Sequence, residues 1–284
     1  MNTTGRRDPT GLSGLPDRPR VGLGGEGVLR TTNREREAET VLTEALDRGI
    51  RYFDSARAYA SSEVYHGRFW SGRPARRDGI FLASKSASRS YPGAIADLTQ
   101  TLERMQTGYL DLWQIHDLRT RPEIRECEGP NGALRAFLEA KEAGLVRRIG
   151  VTGHHDPAVL AEAVERWPVD TVLLPVNPVE AVLGGFVDRV LPVALDAGVA
   201  PLAMKVLGRG QYVAPDGGIT AGVLVRFALT YPVVLAVVGC ETPDQVAGLV
   251  RAAAAGPLED EDARALVEAF RPAARRLAFY RGVL

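Results

Sequence analysis

Cysteine is nearly missing from this 284-residue sequence: Cys127 and Cys240 are the two present. They stand far apart and in no metal-ligand spacing, so neither a disulfide framework nor a cysteine-based metal site organises the chain. A reducing compartment, the cytoplasm, is the expectation. No apolar run approaches about 18 residues, so no transmembrane helix and no membrane role is expected. An excess of charge of one sign is missing too. Lys and Arg number 35, Asp and Glu 35, and the formal net charge is zero, which offers nucleic acid no basic surface at the level of the whole chain. Arg6 and Arg7 suggest a twin-arginine export signal, yet nothing hydrophobic follows them. Residues 1–19 therefore read as a flexible N-terminal arm. What is present is ordinary for a soluble globular protein, with 45% hydrophobic and 25% charged residues.

Along the chain, short apolar runs alternate with longer helical ones. Runs at 20–24, 51–54, 80–84, 109–115, 148–152, 171–176, 199–204 and 233–238 read as strands. Helical periodicity follows each of them. In the first helix Val41, Leu42, Ala45 and Leu46 share a face, and Gly49 ends it as a C′ glycine. Asp156-Pro157 supplies a cap and a first-turn proline, and Thr242 with Gln245 reads as a capping box. Nearly every strand is continuously apolar, the pattern of strands covered on both faces. Eight such units in residues 20–284 suit one (β/α)8 TIM barrel in a single domain. An open doubly wound sheet is the competing layout. The Gly- and Pro-rich stretch 208–218 is too short for a domain linker and reads as a loop at the barrel mouth.

Barrel enzymes carry their chemistry at the C-terminal strand ends. There the sequence places Asp54 and then Tyr59 after the second strand, Lys85 after the third and His116 after the fourth. Thr152 and His154 follow the fifth, Asn177 the sixth and Lys205 the seventh. Four of these make a proton-transfer set. A phenol can protonate the alkoxide that forms as hydride reaches a carbonyl, but an unperturbed phenol near pH 10 holds its proton tightly. A neighbouring ammonium lowers that pKa. Tyr59 is then the general acid, Lys85 the ammonium, Asp54 its anchor and His116 the group that orients the carbonyl. Taken singly, each has a plainer reading: a loop aromatic, a buried ion pair, a strand-end histidine. Four in this order favour the catalytic one.

The segment Gly49-Ile-Arg-Tyr-Phe-Asp54-Ser-Ala-Arg-Ala-Tyr59, continued by Ser62-Glu63, resembles the first signature of the aldo-keto reductase family. Lys85 after Ile80-Phe-Leu-Ala-Ser84, and His116 closing Leu110-Asp-Leu-Trp-Gln-Ile-His116, match its catalytic lysine and histidine. The resemblance extends from about Arg20 to Val250. It implies a (β/α)8 barrel, no metal, NADP(H) as the default cofactor with NAD(H) possible, and a small-molecule carbonyl or alcohol as substrate. It leaves the oligomeric state open.

The resemblance also implies cofactor contacts, with departures. Thr152-Gly153-His154 stands where many members hold the nicotinamide carboxamide with Ser-Asn. The sixth strand lacks the usual Gln and ends in Asn177, expected near the cofactor. Lys205 and Arg209, in a stretch similar to the one that wraps the pyrophosphate, are candidates for phosphate contact. Beyond the eighth strand Glu241 replaces a common arginine, Asp244 follows, and Leu249 replaces an asparagine, while Thr242 and Gln245 keep the adenosine end plausible. Two carboxylates there repel a ribose phosphate, so Glu241 points toward NAD(H).

The run Gly22-Leu-Gly24-Gly-Glu-Gly27 fits the Gly-x-Gly-x-x-Gly pattern, but no helix opens after it. It reads as the turn after the first strand, with Gly24 close to cofactor or substrate. A cofactor-holding redox-sensing subunit, and a lyase or isomerase using Lys85 as a Schiff base, are the competing functions. The segment 118–132 reads as a charged loop overhanging the pocket. The C-terminal tail, with Phe279 and Tyr280 as its aromatics, suggests limited closure.

Overall fold

In the computed structural model, residues 19–283 are described, so the arm expected over 1–19 lies outside them except for its last residue. Eight parallel strands close into a barrel in chain order. They are β1 Val21–Gly27, β2 Tyr52–Asp54, β3 Phe81–Ser86, β4 Leu112–Ile115, β5 Ile149–Thr152, β6 Thr171–Pro175, β7 Ala200–Met204 and β8 Ala236–Cys240. Each strand is buried along nearly its whole length, because one face turns to the barrel interior and the other to the helices. Two cores result. Tyr52, Phe81, Leu112, Leu173, Leu202 and Leu235 fill the interior, whereas Leu23, Phe53, Trp113, Val151 and Leu174 join the larger layer under the helices. Gly22 makes room in the interior: a Cβ there would stand 2.6 Å from Tyr52 Cδ1.

The barrel expected from the sequence is the one found, and its differences are local. β1 runs through to Gly27, so the glycine-rich stretch is strand and not a turn. The chain then enters a 3-10 turn, Val28–Arg30. β3 extends through Lys85 and Ser86, which puts the lysine within the strand. The segment read as a charged loop forms a helix, Arg121–Glu128, capped by Thr120, with Ile124 and Cys127 buried beneath its charged face. Thr242 caps helix Pro243–Ala254 by accepting from the Gln245 N–H. The Gln245 side chain accepts in turn from the amide of Glu241, one residue ahead of the reciprocal bond of a capping box. No helix of the described residues is long and apolar enough to cross a membrane.

Candidate active site

β2 and β3 pair with Asp54 opposite Ala83, which brings Lys85, two residues on, over the end of β2. The Lys85 ammonium is 1% exposed and lies 2.5 Å from Asp54 Oδ2, and it donates to the Ser55 carbonyl at 2.7 Å. Tyr59 sits in the turn between β2 and helix Ser62–Ser71. Its ring centroid is 5.0 Å from Lys85 Nζ, 5.1 Å from the Arg30 guanidinium and 5.6 Å from the His116 ring, edge to face. The structure thus brings Asp54, Tyr59, Lys85 and His116 together at one end of the barrel.

Burial sets the protonation states. It raises the Asp54 carboxyl despite Lys85. It holds the Tyr59 phenol well above its ordinary range, with Asp54 and Glu26 adding to the rise. Burial first, and then the charge of Lys85, lowers the His116 imidazole to about 3. Tyr59 therefore keeps its proton and His116 is neutral at neutral pH. Lys85 is expected from the sequence to lower the Tyr59 phenol; its pKa is raised instead, because desolvation disfavours the phenolate and the charges of Asp54 and Glu26 add to the rise.

From Asp54 and Tyr59 a cavity of about 1170 Å³ runs past Met204 and between β7, β8 and helices Ala221–Ala228 and Pro243–Ala254, to Glu241, Gln245 and Arg251. Ordinary small-molecule sites span roughly 300–1,000 Å³, so this one has room for an elongated ligand and a small second one. Lys205, Arg209, Arg30 and Arg251 on its walls suit a ligand carrying phosphates. A phosphorylated dinucleotide fits both the length and the donor set.

Of the cofactor residues expected from the sequence, Gly24, Lys205, Arg209, Glu241 and Gln245 line this cavity. The space at Gly24 also serves the fold, since a Cβ there would meet Gly239 N at 2.9 Å. Glu241 takes Arg34 at 3.4 Å. Thr242 is occupied as a cap. Thr152 Oγ1 accepts from the Asp117 amide at 2.9 Å, beneath the site. Asn177 is fully buried and does not reach the cavity: it caps Glu180, and its amide donates to the Lys205 carbonyl and to the Tyr280 hydroxyl. His154 faces Asp117 Oδ1 at 3.3 Å on one side and the Tyr280 carbonyl at 3.2 Å on the other.

Sequence reasoning missed Glu26, Arg30, Asp117 and Arg226. Glu26 was hidden inside a glycine-rich run and Asp117 beside the more conspicuous His116. A positive φ of 54° at Asp117 is invisible in sequence and marks backbone held in an uncommon state. The tail also closes further than its composition suggests. Tyr280 is buried against His154 and donates to Glu180 Oε1 at 2.7 Å, while Arg281 pairs with the same carboxylate. A buried glutamate is the anchor, and nothing in the tail's own residues announces it.

The aldo/keto reductase family pattern matches residues 20–216. An aldo-keto reductase of Mycolicibacterium smegmatis is 29% identical over 205 residues, which are 69% of this chain and 66% of that protein. The uncharacterized oxidoreductase YqkF of Bacillus subtilis is 26% identical, over 92% of this chain and 95% of that one. An NADPH-bound aldo-keto reductase structure from Klebsiella pneumoniae aligns with a TM-score of 0.74 at 22% identity, covering 89% of this chain and 92% of that chain. At that identity the likeness speaks to the fold. With the matched span covering well over half the sequence, the chain belongs to the aldo-keto reductase family.

Proposed function

We propose that this protein interconverts an aldehyde or ketone with its alcohol, using NADP(H), with Asp54, Tyr59, Lys85 and His116 as the catalytic group. The observation that carries the reading is a buried, protonated Tyr59 beside neutral His116, at one end of a cavity of dinucleotide length. The nicotinamide, when bound, supplies or accepts the hydride. Tyr59 gives its phenolic proton to the oxygen as negative charge gathers there. His116, uncharged, orients the carbonyl by hydrogen bonding. The Lys85 ammonium over the phenol ring stabilises the phenolate left behind, and Asp54 fixes that ammonium in place. Arg209 and Arg251 are the groups for the cofactor's phosphates. The relatives' names agree with this class: one, covering 49% of this chain, is a methylglyoxal reductase of Yersinia pestis, and another is a 6-dehydroglucose reductase. The complete catalytic group speaks against a purely regulatory subunit.

NAD(H) is a second cofactor reading, favoured by one feature. Glu241 lies on the cavity wall where the adenosine end would sit, and a carboxylate suits ribose hydroxyls better than a ribose phosphate. The test is loss of reduced-nicotinamide absorbance on adding short aldehydes, with NADPH and NADH in parallel. Turnover with at least one pair is expected. No turnover with any aldehyde, together with no binding of either cofactor, would remove the oxidoreductase reading.

A further inference from the structure

His116 stands where the chain leaves β4, and the residue after it is held in an uncommon state. Asp117 has a φ of 54°, in the left-handed region that non-glycine residues seldom adopt. Such backbone persists where its surroundings over-determine it. The Asp117 amide donates to Thr152 Oγ1 at 2.9 Å, and the His116 amide to the Ser86 carbonyl at 2.8 Å. The carbonyls of both residues are met by one side chain: each accepts from Arg89 Nη2 at 2.9 Å.

Arg89 comes from the segment between β3 and helix Tyr91–Arg104, and it is itself fixed at both ends. Its own carbonyl accepts from the Ala133 amide at 2.8 Å, and the next residue, Ser90, bridges to Gly132. Its Nη1 donates to the Ala87 carbonyl at 3.2 Å. Glu123, in the first turn of helix Arg121–Glu128, presents Oε2 to Arg89 Nη2 at 2.8 Å and to Nε at 3.1 Å. The same oxygen accepts from the Arg119 amide at 3.0 Å, two residues beyond Asp117. A guanidinium suits this place because its donors lie in one rigid plane, so a carboxylate that fixes one edge aims the rest. The nitrogens of Arg89 are thus spent on carbonyls and on Glu123, and Arg89 acts through what it holds.

We propose that Arg89, braced by Glu123, is a positioning residue for His116: it fixes the strand end from which the imidazole reaches the Tyr59 ring. The inference rests on the carbonyl-reductase reading above, in which uncharged His116 orients the carbonyl. The two rings meet edge to face with centroids 5.6 Å apart, and a hydrogen bond to a reacting carbonyl depends on direction. Without the guanidinium two carbonyls lose their donor, the left-handed state of Asp117 loses a restraint, and the imidazole moves with the backbone that carries it. A displacement of about 1 Å in such a group costs on the order of 10²-fold in rate. The plainer role is a brace for helix Arg121–Glu128 alone, which would lower stability without acting through the histidine.

The test is a double-variant cycle on butanal reduction with NADPH, in the wild type, Arg89→Met, His116→Ala and the two combined, with Tm and the NADPH dissociation constant followed for each. Tyr59 still delivers the proton in His116→Ala, so further losses stay measurable there. Arg89→Met is expected to lower kcat/KM by about 10- to 100-fold, chiefly through kcat, with NADPH binding unchanged. When His116 is already Ala, the same change should cost less than about twofold. Its drop in Tm should be equal in the two backgrounds, because that part does not pass through the imidazole. Arg89→Lys, which keeps the charge and loses the fork, should restore part of the rate. Glu123→Gln, the milder change should Arg89→Met fail to fold, is expected to give a smaller loss with the same dependence on His116. Equal fold-losses of kcat/KM in both backgrounds, a rate unmoved by Arg89→Met and Glu123→Gln, or a loss that follows NADPH affinity overturns the proposal alone. A His116→Ala enzyme as active as the wild type overturns the part given to His116, and this proposal with it. A wild type that reduces no carbonyl compound overturns the carbonyl-reductase reading itself, and the inference drawn from it.

Discussion

Replacing Lys85 with Met strips the cation from a carboxylate that has little else. Asp54 Oδ2 is bonded to the ammonium at 2.5 Å, its Oδ1 has no hydrogen-bond partner, and both side chains are at most 4% exposed. Breaking a buried pair by removing one partner costs about 3–5 kcal/mol, chiefly for the uncompensated charge left behind. Asp54 can escape by taking up a proton, and burial already pushes its pKa above the usual carboxylate value. Without Lys85 that rise grows, so the folded variant binds a proton that the unfolded chain releases near pH 4. Its stability is then fully present below that pH and falls as pH rises through the folded pKa. Urea unfolding followed by circular dichroism should show Lys85→Met losing about 3–5 kcal/mol at pH 8 and clearly less at pH 5. The double variant Asp54→Asn/Lys85→Met, with no buried charge, should recover much of the loss. Equal losses in single and double variants, or a loss independent of pH, would refute the reasoning.

Other outcomes follow from the same structure. His66 is fully buried, with an imidazole lowered from 6.5 to about 4 by desolvation. The unfolded chain binds a proton there that the folded chain refuses, so stability should fall by up to about 3 kcal/mol as pH drops from 6.5 to 4, and His66→Gln should flatten that part of the stability curve. Arg281→Met leaves Glu180 buried without its cation and should lower stability by about 3–5 kcal/mol, readable as a drop in Tm that the further change Glu180→Gln largely reverses. Glu241→Gln removes a negative charge from the cavity wall and, on the proposed placement of the adenosine there, should shift the ratio of NADPH to NADH dissociation constants toward NADPH by several-fold; an unchanged ratio would mean that Glu241 does not face the ribose phosphate.

The barrel was legible because its cues are local: apolar runs covered on both faces, Gly49 at a helix end, Asp156 and Thr242 as caps. Asp54, Tyr59, Lys85 and His116 were legible because each stands at or just past a strand end. What escaped depended on contacts between distant parts of the chain. Asn177 looks like a cofactor ligand in sequence, yet its polar atoms are consumed by Glu180, Lys205 and Tyr280, the last 103 positions away. The helix Arg121–Glu128 was concealed by its charges, since only Ile124 and Cys127 face inward. The protonation of Tyr59 turned on how completely the site is desolvated, a quantity no spacing of residues conveys.

The central claim is that the Tyr59 hydroxyl delivers the proton in carbonyl reduction. Tyr59→Phe keeps the ring against His116, Lys85 and Arg30 and removes the oxygen alone. Aldehyde reduction by this variant, measured beside NADPH binding, tests the claim most directly. The account predicts a cofactor dissociation constant within about twofold of the parent and a turnover rate lower by about 10²-fold or more, the loss expected for a general acid. A variant that binds cofactor and reduces aldehyde at the parent's rate would contradict it.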